Sequence, residues 1–351
     1  MDHDAHAFLD QAVKAGAVAA VVERMVPDLD ATQIQVRDGR LAGALAADEV
    51  FGSPWQGLFL GGVTGTNGKT TVAHMMAAVT AGSAREMAVI GTVSSAIPGA
   101  EASPGTTPEA SNLQRMLRRL VDAGRVTDVA IEVSSHAMDM GRVNGVLFDV
   151  VAFTNLSQDH LDYHHTMEAY YQAKASLFSK NRASHAVIWA DDPWGRRLAG
   201  ETELPTTTVG TGPDADVRVT YLSSSSTGSE FQLTMAGGTV PVTCPLAGRF
   251  NVANAAIALT CARLLDIDPA GAARNLARMA PIPGRYNTFT SPVGAWVVVD
   301  YAHTPDAIAN VVSESRSHVP GRIIVVFGAG GDRDREKRPL MGRAAATAGS
   351  R

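Results

Sequence analysis

The sequence predicts an α/β protein in which a mainly parallel central sheet carries helices on both faces. Short apolar stretches, among them "GLFLGGV", "DVAIEV" and "FDVVAFT", alternate with helical stretches along most of the 351 residues. This alternation is typical of βα units around a buried sheet. A glycine-rich loop, residues 62–68, lies between one apolar stretch and the following helix, which is where a P-loop-type sheet binds its anion.

Two further regions extend this architecture. Residues 205–248 are rich in Thr, Ser, Val and Gly and show no helical period, which predicts an antiparallel β insertion. Within it, the run "SSSSTGSE" predicts a solvated hairpin tip. After residue 285, the strand "AWVVVDY", the helix "TPDAIANVVSESRS" and the strand "GRIIVVFGAGG" predict the start of a second, Rossmann-like α/β domain.

The composition favours a globular protein that acts on small molecules. The net charge is -5, with acidic and basic residues mixed along the chain, so no basic surface for nucleic acid is expected. Cys244 and Cys261 provide neither a disulfide framework nor a CxxC metal pair, which fits a reducing cytoplasm. The acidic start and the lack of a long apolar run argue against secretion and membrane insertion.

The glycine-rich loop in "FLGGVTGTNGKTTVAHMM" predicts nucleotide binding. The usual phosphate-loop template places a glycine five positions before Gly68, where this sequence has Val63. Lys69 nevertheless follows a glycine turn and could reach the β and γ phosphates, and the hydroxyl of Thr70 could bind magnesium. The alternative is a tight turn that contains Gly and Lys by chance, but the strand, loop and helix setting favours a nucleotide site.

A second concentration of polar residues follows the apolar stretch "DVAIEV". Glu132 would lie at the carboxyl edge of the sheet, where it could complete the coordination of a magnesium ion begun by Thr70. Ser134, Ser135 and His136 also suggest a hydrolase triad, yet the G-x-S-x-G turn is absent. Hydroxyls at a strand end more often bind ligand oxygens or cap a helix, so the triad is the weaker alternative.

The third cluster is "FTNLSQDHLDYHHTMEAYYQAKASLF", residues 153–178. By itself it predicts a polar loop with Asp159 and His160, followed by a helix that begins at Met167 and contains Lys174. A zinc site is disfavoured because HEXXH and cysteine partners are missing. An isolated lysine in a helix is usually a solvated surface residue, so these residues alone do not establish a site.

Several motifs occur together in the order and context of one known family. They are "GVTGTNGKTT", "EVSSHAM", "AFTNLSQDHLDYHHTMEAYYQAKASLF", "GRFNVANAAIA", "IPGR", "VVVDYAHTPDAI" and "FGAGGDRDREKRPLMG". On these residues the chain resembles the Mur ligases, and within that family the members that add the third amino acid of the peptidoglycan stem peptide. The off-template loop is that family's own form, so Val63 is expected there.

The resemblance implies that the chain consists of three parts. Residues 1–55 would be a remnant of the amino-terminal domain that binds the UDP end of the substrate, since "DAHAFLDQAVKAGAVAAVVE" is similar to the second half of that domain. Residues 56–285 would be the central ATP-binding domain, and residues 286–351 an incomplete carboxyl-terminal ligase domain. The sequence lacks the "DNPR" segment with which the family selects its amino acid. We therefore expect an incomplete form of the ligase, truncated at both ends, and the resemblance does not predict whether this form is active by itself.

The resemblance also implies a role for each site residue. The nucleotide-binding residues would be Gly65, Thr66, Asn67, Gly68, Lys69, Thr70 and Thr71, with Asn251 and Asn254 near the adenine, Arg285 near the phosphates and Asp300 near the ribose. Two magnesium ions would be held by Thr70, Glu132, His160 and Lys174, with Lys174 carbamylated. The catalytic residues would be Lys69, Glu132, His160 and Lys174. The dipeptide substrate would contact Thr106, Thr107, Ser134 and Arg142, and Arg333 would receive the incoming amino acid.

The implied function is ATP-dependent amide ligation in peptidoglycan precursor synthesis. An amino acid such as meso-diaminopimelate or L-lysine would be joined to UDP-N-acetylmuramoyl-L-Ala-D-Glu through an acyl phosphate. The attacking carboxylate and the γ-phosphate are both anionic, so Lys69 and two magnesium ions would offset their repulsion. The protein is expected to act as a cytoplasmic monomer.

Some residues depart from the family pattern. After "PGR" these ligases usually continue Met-Glu, whereas this chain has Tyr286 and Asn287. A ligase of the same superfamily with another acyl substrate is therefore an alternative, as is a shortened nucleotide-binding relative without full ligase activity. A folyl-polyglutamate-type ligase shares the loop but explains "EVSSHAM" and "DHLDYHH" poorly.

Overall fold

The computed structural model describes residues 4–93, 105–329 and 336–349. These residues form an α/β protein with one large, mainly parallel sheet and helices on both of its faces, so the predicted fold class is confirmed. Within these ranges, none of the helices combines the length and the apolar character needed to cross a bilayer.

The first part of the chain forms a small α/β unit beside the large sheet. Its elements are α1 (Leu9–Lys14), the parallel strands β1 (Ala19–Val22) and β2 (Thr32–Gln35), and α2 (Gly39–Phe51). The side chain of Asp38 caps α2 by accepting a hydrogen bond from the Leu41 amide at 2.9 Å. Asp48 in the same helix accepts hydrogen bonds from Trp55 Nε1 at 2.9 Å and from Gln114 Nε2 at 3.1 Å, which ties the unit to the rest of the protein.

The large sheet has nine strands, and the strand that precedes the glycine-rich loop ends in a crevice. The strands are β3 (Phe59–Thr64), β4 (Met87–Ile90), β5 (Asp128–Glu132), β6 (Phe148–Phe153), β7 (Ala183–Trp189), β8 (Thr206–Gly210), β9 (Val217–Ser225), β10 (Gly228–Met235) and β11 (Gly238–Cys244). Their order is β11-β10-β9-β8-β7-β6-β3-β5-β4, parallel from β4 to β9 and antiparallel from β9 to β11. Because β3 lies between β5 and β6, the loops after these three strands meet where open α/β sheets bind ligands.

Helices bury both faces of this sheet. They are α3 (Lys69–Thr80), α4 (Ala110–Ala123), α5 (Ser135–Asp139), α6 (Leu161–His164), α7 (Met167–Ala175), α8 (Pro193–Glu201), α9 (Arg249–Arg263) and α10 (Pro269–Leu276). In α3, the buried residues Val72, Met75, Met76 and Val79 recur at helical spacing and join one core cluster together with α9 and α10. Helices α4, α7 and α8 contribute to a second cluster, so the sheet is enclosed by two apolar layers.

The carboxyl-terminal segment, residues 286–351, differs from the prediction in its strands. It contains β12 (Asn287–Thr290), β13 (Trp296–Val299), α11 (Pro305–His318) and α12 (Lys337–Gly349). β12 and β13 pair antiparallel, and the helices pack together through Ile308, Val312, Met341 and Ala345. The predicted strand "GRIIVVFGAGG" is not formed over its described residues, 321–329. Among the described strands, β13 pairs only with β12. Residues 321–329 therefore have no ladder of hydrogen bonds to a neighbouring strand that would hold them as a strand.

The predicted antiparallel strands on either side of the serine-rich turn are formed, but the tip of this hairpin is not fully exposed to solvent. β9 and β10 pair up to Ser225 and Gly228, as expected for a hairpin. Ser224 Oγ, however, donates a hydrogen bond to Glu314 Oε1 of α11 at 2.7 Å. The tip is partly covered because α11 packs against it.

A strained residue ends the short helix α6. His165 has φ 63° and ψ -38°, and its side chain is exposed. A residue with a Cβ rarely adopts a positive φ, and holding one there costs about 1–3 kcal/mol. Glycine would remove most of that cost, with a smaller loss from the added freedom of the unfolded chain.

We therefore expect His165→Gly to raise the free energy of unfolding by about 1 kcal/mol. Urea unfolding monitored by circular dichroism measures the change. His165→Ala is the matched control, because it removes the imidazole but keeps the Cβ. Equal stabilisation by Ala and Gly would show that the side chain, and not the backbone, is responsible.

Candidate active site

A cavity of about 510 Å³ opens at the carboxyl ends of β3, β5, β6 and β7. The loop after β3 forms its floor together with Glu132 at the end of β5 and Asn155 after β6. The start of α9 and the carboxyl-terminal segment from Asp300 to Val311 line the opposite side. The site is therefore shared between the sheet and the carboxyl-terminal segment.

The loop after β3 has no room for side chains at its glycines. Gly65 has φ 144°, and an added Cβ would collide with the hydroxyl of Thr154 and lie 3.0 Å from the carbonyl oxygen of Asn155. Gly68 has φ 89°, and a Cβ there would collide with Asn254. Since Gly68 also precedes α3 and has no capping side chain, the backbone N–H groups of the first helical turn are left for an anionic ligand.

Two lysines share one acceptor beside this loop. Lys69 Nζ donates hydrogen bonds to the carbonyl oxygens of Gly65 at 2.9 Å and Thr66 at 2.8 Å. Lys174 Nζ in α7 donates to the same Gly65 oxygen at 2.8 Å, and its side chain is only 1% exposed. Burial lowers the pKa of Lys69, and Arg285 adds to this effect, although Glu132 and Asp159 oppose it. Burial and then the charge of Lys69 lower the pKa of Lys174 well below its ordinary value.

Glu132 and Thr70 meet in the centre of the cavity. Glu132 is 1% exposed, and its Oε2 accepts a hydrogen bond from Thr70 Oγ1 at 2.9 Å. Its Oε1 accepts from the amide of Thr92 at 2.8 Å. Arg285 Nη2 donates to Thr70 Oγ1 at 2.8 Å, so an arginine that precedes the carboxyl-terminal segment reaches the phosphate loop. The predicted neighbours Thr70, Glu132 and Arg285 are thus brought together.

His160 lies at the other end of the same site, beside Asp159. Its backbone has φ 55°, and its ring stands 4.8 Å from that of His136, edge to face. Burial lowers the pKa of His160 to about 3, against the opposing influence of Asp159, so the ring is neutral near pH 7. Burial of Asp159 acts to raise its own pKa, but His303, His160 and Lys337 outweigh it and hold the pKa below the usual range.

The residues predicted to contact the dipeptide also gather beside Glu132. Thr107 Oγ1 donates to the carbonyl oxygen of Glu132 at 2.8 Å and accepts from the Ser134 amide at 3.1 Å. Arg142 Nη1 donates to the Thr107 carbonyl oxygen at 3.0 Å. Thr106 lies within hydrogen-bonding distance of Thr92, with 3.1 Å between their hydroxyl oxygens. Ser134 also caps α5 by accepting from the Ala137 amide at 3.2 Å, the capping role that the sequence left open.

A Ser-His-Asp arrangement is present but does not form a hydrolase site. Ser135 Oγ and His164 Nε2 are hydrogen bonded at 2.9 Å, and His164 Nδ1 lies 3.5 Å from Asp139 Oδ2. Ser135 is only 1% exposed and does not line the cavity. A substrate carbonyl could not reach its oxygen, so the contact braces α5 against α6 instead.

Comparison with known protein families identifies the family of the chain that carries this site. Residues 63–262, more than half of the chain, match the profile of the Mur ligase middle domain. The chain belongs to the Mur ligase family. Residues 284–351 also match the Mur ligase glutamate ligase domain, so the family predicted from the motifs is confirmed.

Two curated relatives of this Mur ligase and one solved structure carry the same name. A UDP-N-acetylmuramoyl-L-alanyl-D-glutamate--2,6-diaminopimelate ligase of Geobacillus thermodenitrificans is 42% identical over 351 residues, which cover 97% of this chain and 71% of the relative. The ligase of that name from Geobacter metallireducens is 42% identical over 356 residues, covering 97% and 68%. A solved structure under the same name superposes with a TM-score of 0.78 at 33% identity, covering 98% of this chain and 71% of that chain.

Except for Gly65, the predicted nucleotide residues of this Mur ligase line the cavity, and Asp300 does so from the carboxyl-terminal segment. Asn251 Nδ2 donates to the Ala247 carbonyl oxygen at 2.7 Å, and Asn254 Nδ2 donates to Asn251 Oδ1 at 3.3 Å, so each holds the other at the start of α9. Asp300 Oδ2 accepts from the amide of Tyr286 at 2.8 Å. Arg333, predicted to receive the amino acid, lies outside the described residues.

Sequence reasoning missed several residues of the cavity. Asn155 accepts from the Asn67 amide at 3.0 Å and donates through Nδ2 to the Asn67 carbonyl oxygen at 3.1 Å, so it fixes the phosphate loop from β6. Its place within the motif "FTNLSQDH" could have identified it. Trp189 and Phe250 supply aromatic walls; no local pattern pointed to Trp189, whereas Phe250 stands in the motif "GRFNVANAAIA". Lys337 is not part of the cavity lining but pairs with Asp159, which is, and the sequence did not indicate this contact.

The predicted metal ligands fit magnesium only in part. Among the described residues, no group of three or more His, Cys, Asp or Glu is arranged to hold a metal ion. The hydroxyl of Thr70 and the carboxylate of Glu132 are the oxygen donors that magnesium prefers. The unmodified ammonium group of Lys174 is not a ligand. The predicted metal set of Thr70, Glu132, His160 and Lys174 therefore stays a prediction.

We expect Gly65→Ala to destabilise the protein by about 3 kcal/mol, the upper end for single substitutions, because the new Cβ would meet backbone atoms of Asn155. Gly124→Ala is the matched control: Gly124 also has a positive φ, 65°, but open space around it. That change should cost only about 1–2 kcal/mol of backbone strain. Urea unfolding measures both, and equal losses would contradict the close packing of the loop.

Proposed function

We propose that this Mur ligase joins 2,6-diaminopimelate to UDP-N-acetylmuramoyl-L-Ala-D-Glu at the expense of ATP. One observation carries the proposal: Lys69 and Glu132 line a cavity beside the phosphate loop together with Thr106 and Ser134, and the buried Lys174 donates to the loop at Gly65. The relatives at 42% identity are named as ligases of L-alanyl-D-glutamate and 2,6-diaminopimelate. They favour diaminopimelate over the L-lysine that the sequence left open.

ATP would bind with its phosphates on the loop after β3. The glycines at 65 and 68 let the backbone approach the phosphates, and the first amides of α3 point to the same place. Lys69 would exchange its two carbonyl acceptors for phosphate oxygens. The Nε atoms of Arg142 and Arg285 are buried without a hydrogen-bond partner, which fits guanidinium groups that receive an anion.

The chemistry would begin with phosphoryl transfer. A carboxylate oxygen of the bound dipeptide attacks the γ-phosphorus, the bond to the β-phosphate oxygen breaks, and ADP leaves with the electron pair. The nucleophile and the phosphate are both negative, so the cations Lys69 and Arg285 reduce their repulsion. The product of this step is an acyl phosphate.

Amide formation would follow at the same carbonyl carbon. The amine of the entering amino acid attacks, the C–O bond to phosphate breaks, and the amine loses a proton as phosphate leaves. The hydroxyls of Thr106 and Thr107 and the guanidinium group of Arg142 lie beside Glu132, where they would orient the dipeptide. The net reaction consumes ATP and releases ADP and phosphate.

Magnesium would be held at two places by residues of this chain. Thr70 and Glu132 offer a hydroxyl and a carboxylate in direct contact, while the neutral ring of His160 retains a lone pair. When bound, the ions supply positive charge that neutralises the phosphate oxygens. Lys174 would join this set only after carbamylation.

Carbamylation of Lys174 is supported by its surroundings. The reaction with carbon dioxide requires an unprotonated amine, and burial beside Lys69 lowers the pKa of Lys174. The ammonium groups of Lys69 and Lys174 both bind the Gly65 oxygen and repel each other. A carbamate on Lys174 would be anionic and would attract the ammonium group of Lys69. The modification therefore turns an unfavourable contact into a favourable one.

The function is tested by measuring ADP release with defined substrates. We expect release that requires UDP-N-acetylmuramoyl-L-Ala-D-Glu and that rises when meso-diaminopimelate is added, together with a product of the tripeptide mass. Lys69→Met should reduce turnover by about 100-fold or more, because it removes a charge that stabilises the transition state. ATP binding without turnover for every substrate pair, or turnover with a folate and glutamate instead, would overturn the proposal, and turnover with L-lysine would correct the amino acid.

We expect Lys174→Ala to abolish acyl-phosphate formation and to be partly rescued by a short carboxylate such as acetate, which can occupy the place of the carbamate. Nuclear magnetic resonance with 13C-labelled bicarbonate provides an independent readout, since the carbamate signal should vanish in this variant. Lys180→Ala is the control, because Lys180 is exposed and pairs only with Glu203 among the described contacts. A wild-type spectrum without a carbamate signal would contradict the modification.

The cytoplasmic location and the monomeric state stay predictions. The substrates proposed here, ATP and a nucleotide-linked precursor, are consistent with a reaction on the cytoplasmic side.

A further inference from the structure

Asp159 is a buried carboxylate that receives partners from two parts of the protein. Its side chain is 3% exposed, and Lys337 Nζ donates to its Oδ1 at 2.9 Å from a side chain that is itself 12% exposed. His303 Nε2 lies 3.6 Å and His160 Nε2 lies 3.4 Å from Oδ2. Lys337 begins α12 and His303 precedes α11, so two of the three partners belong to the carboxyl-terminal segment.

The same carboxylate shapes the turn that carries His160. Asp159 Oδ1 accepts a hydrogen bond from the backbone amide of His160 at 3.0 Å. This amide belongs to a residue with φ 55°, which the surroundings must hold in place. Lys337 and the His160 amide therefore donate to the same oxygen atom, and a shift of the carboxylate would change both hydrogen bonds.

We propose that Lys337 is a positioning residue: by pairing with Asp159 it fixes the turn that carries His160, so that the site is complete only when α12 is docked. The inference rests on the proposed function for the role of His160. A buried carboxylate that loses a cation hydrogen bonded to it is left undercompensated and draws in water or moves toward solvent. Lys69 and Lys174 also contribute positive potential at Asp159, but the structure shows no hydrogen bond from either to this carboxylate.

Other contacts place the segment against the phosphate loop without reaching His160. Asn67 Nδ2 lies 3.4 Å from Asp306 Oδ2, and Arg285 reaches Thr70. Ser224 contacts Glu314 on the far side of the interface. Lys337 is thus the described contact of α12 that leads directly to the proposed metal-binding turn.

The inference is tested first in the ligand-free protein by hydrogen exchange of the His160 amide. Lys337→Met keeps the length of the side chain and removes its charge, and we expect about tenfold faster exchange of this amide. Lys337→Arg restores a cation and should keep the wild-type rate. Arg343→Met, at an exposed position of the same helix, should also leave it unchanged.

Kinetics provide the second readout. Loss of a group that orients a metal ligand typically reduces activity about 10–100-fold, so Lys337→Met should lower kcat by that factor. KM for the muramoyl dipeptide should change little, because Lys337 does not line the part of the cavity near Thr106 and Ser134. In an Asp159→Asn background the same substitution should have almost no further effect on kcat.

The outcomes separate this inference from the proposed function. Unchanged exchange at His160 in Lys337→Met would overturn the positioning role, as would kcat losses that multiply independently in the double variant. If Lys337→Met does not fold, Lys337→Gln and Asp159→Asn test the same amide. A wild-type protein with no ligase activity would refute the proposed function but would leave the exchange measurement valid.

Discussion

The carbonyl oxygen of Gly65 is the atom on which the site depends, because it accepts hydrogen bonds from the ammonium groups of both Lys69 and Lys174. Through it, α7 is held against the phosphate loop and α3, although Lys174 lies 109 residues after Gly65. Burial is the main reason why the pKa values of both lysines are lowered, and the charge of Lys69 lowers the pKa of Lys174 further. The loop is therefore prepared to receive negative charge, either from a phosphate or from a modified lysine.

The balance of charge in the cavity supports the same conclusion. Its two buried carboxylates are already compensated: Glu132 by the Thr70 hydroxyl and the Thr92 amide, and Asp159 by Lys337. The remaining cations, Lys69 and Arg285, face the phosphate loop. Together with the uncapped amides at the start of α3, these two cations make the loop after β3 the part of the cavity that favours an anion.

The sequence was informative where the partners are close along the chain, and much less so where they are distant. The strand, loop and helix around Lys69 could be predicted because one local pattern specifies them, and the placement of Glu132 follows from the parallel sheet. Lys174 looked like a surface lysine by itself, since its acceptor at Gly65 is 109 residues away. Lys337 stands in the motif "FGAGGDRDREKRPLMG", but its pairing with Asp159 gave no signal, because Asp159 lies 178 residues earlier. The predicted strand after α11 failed for a related reason: local apolar residues cannot reveal that no neighbouring strand will pair with them.

Two residues with positive φ, His160 and His165, enclose the single turn of α6. These bends set the direction in which the chain enters and leaves that turn, and the hydrogen bond between Ser135 and His164 fixes its rotation. An inserted or deleted residue would rotate everything after it by about 100° around the helix axis, and His160 would no longer face the same side as Lys174. The length of the stretch between Asp159 and Thr166 is thus more strictly constrained than the residue types at most of its positions. Natural variation in this stretch should consist of substitutions and not of changes in length.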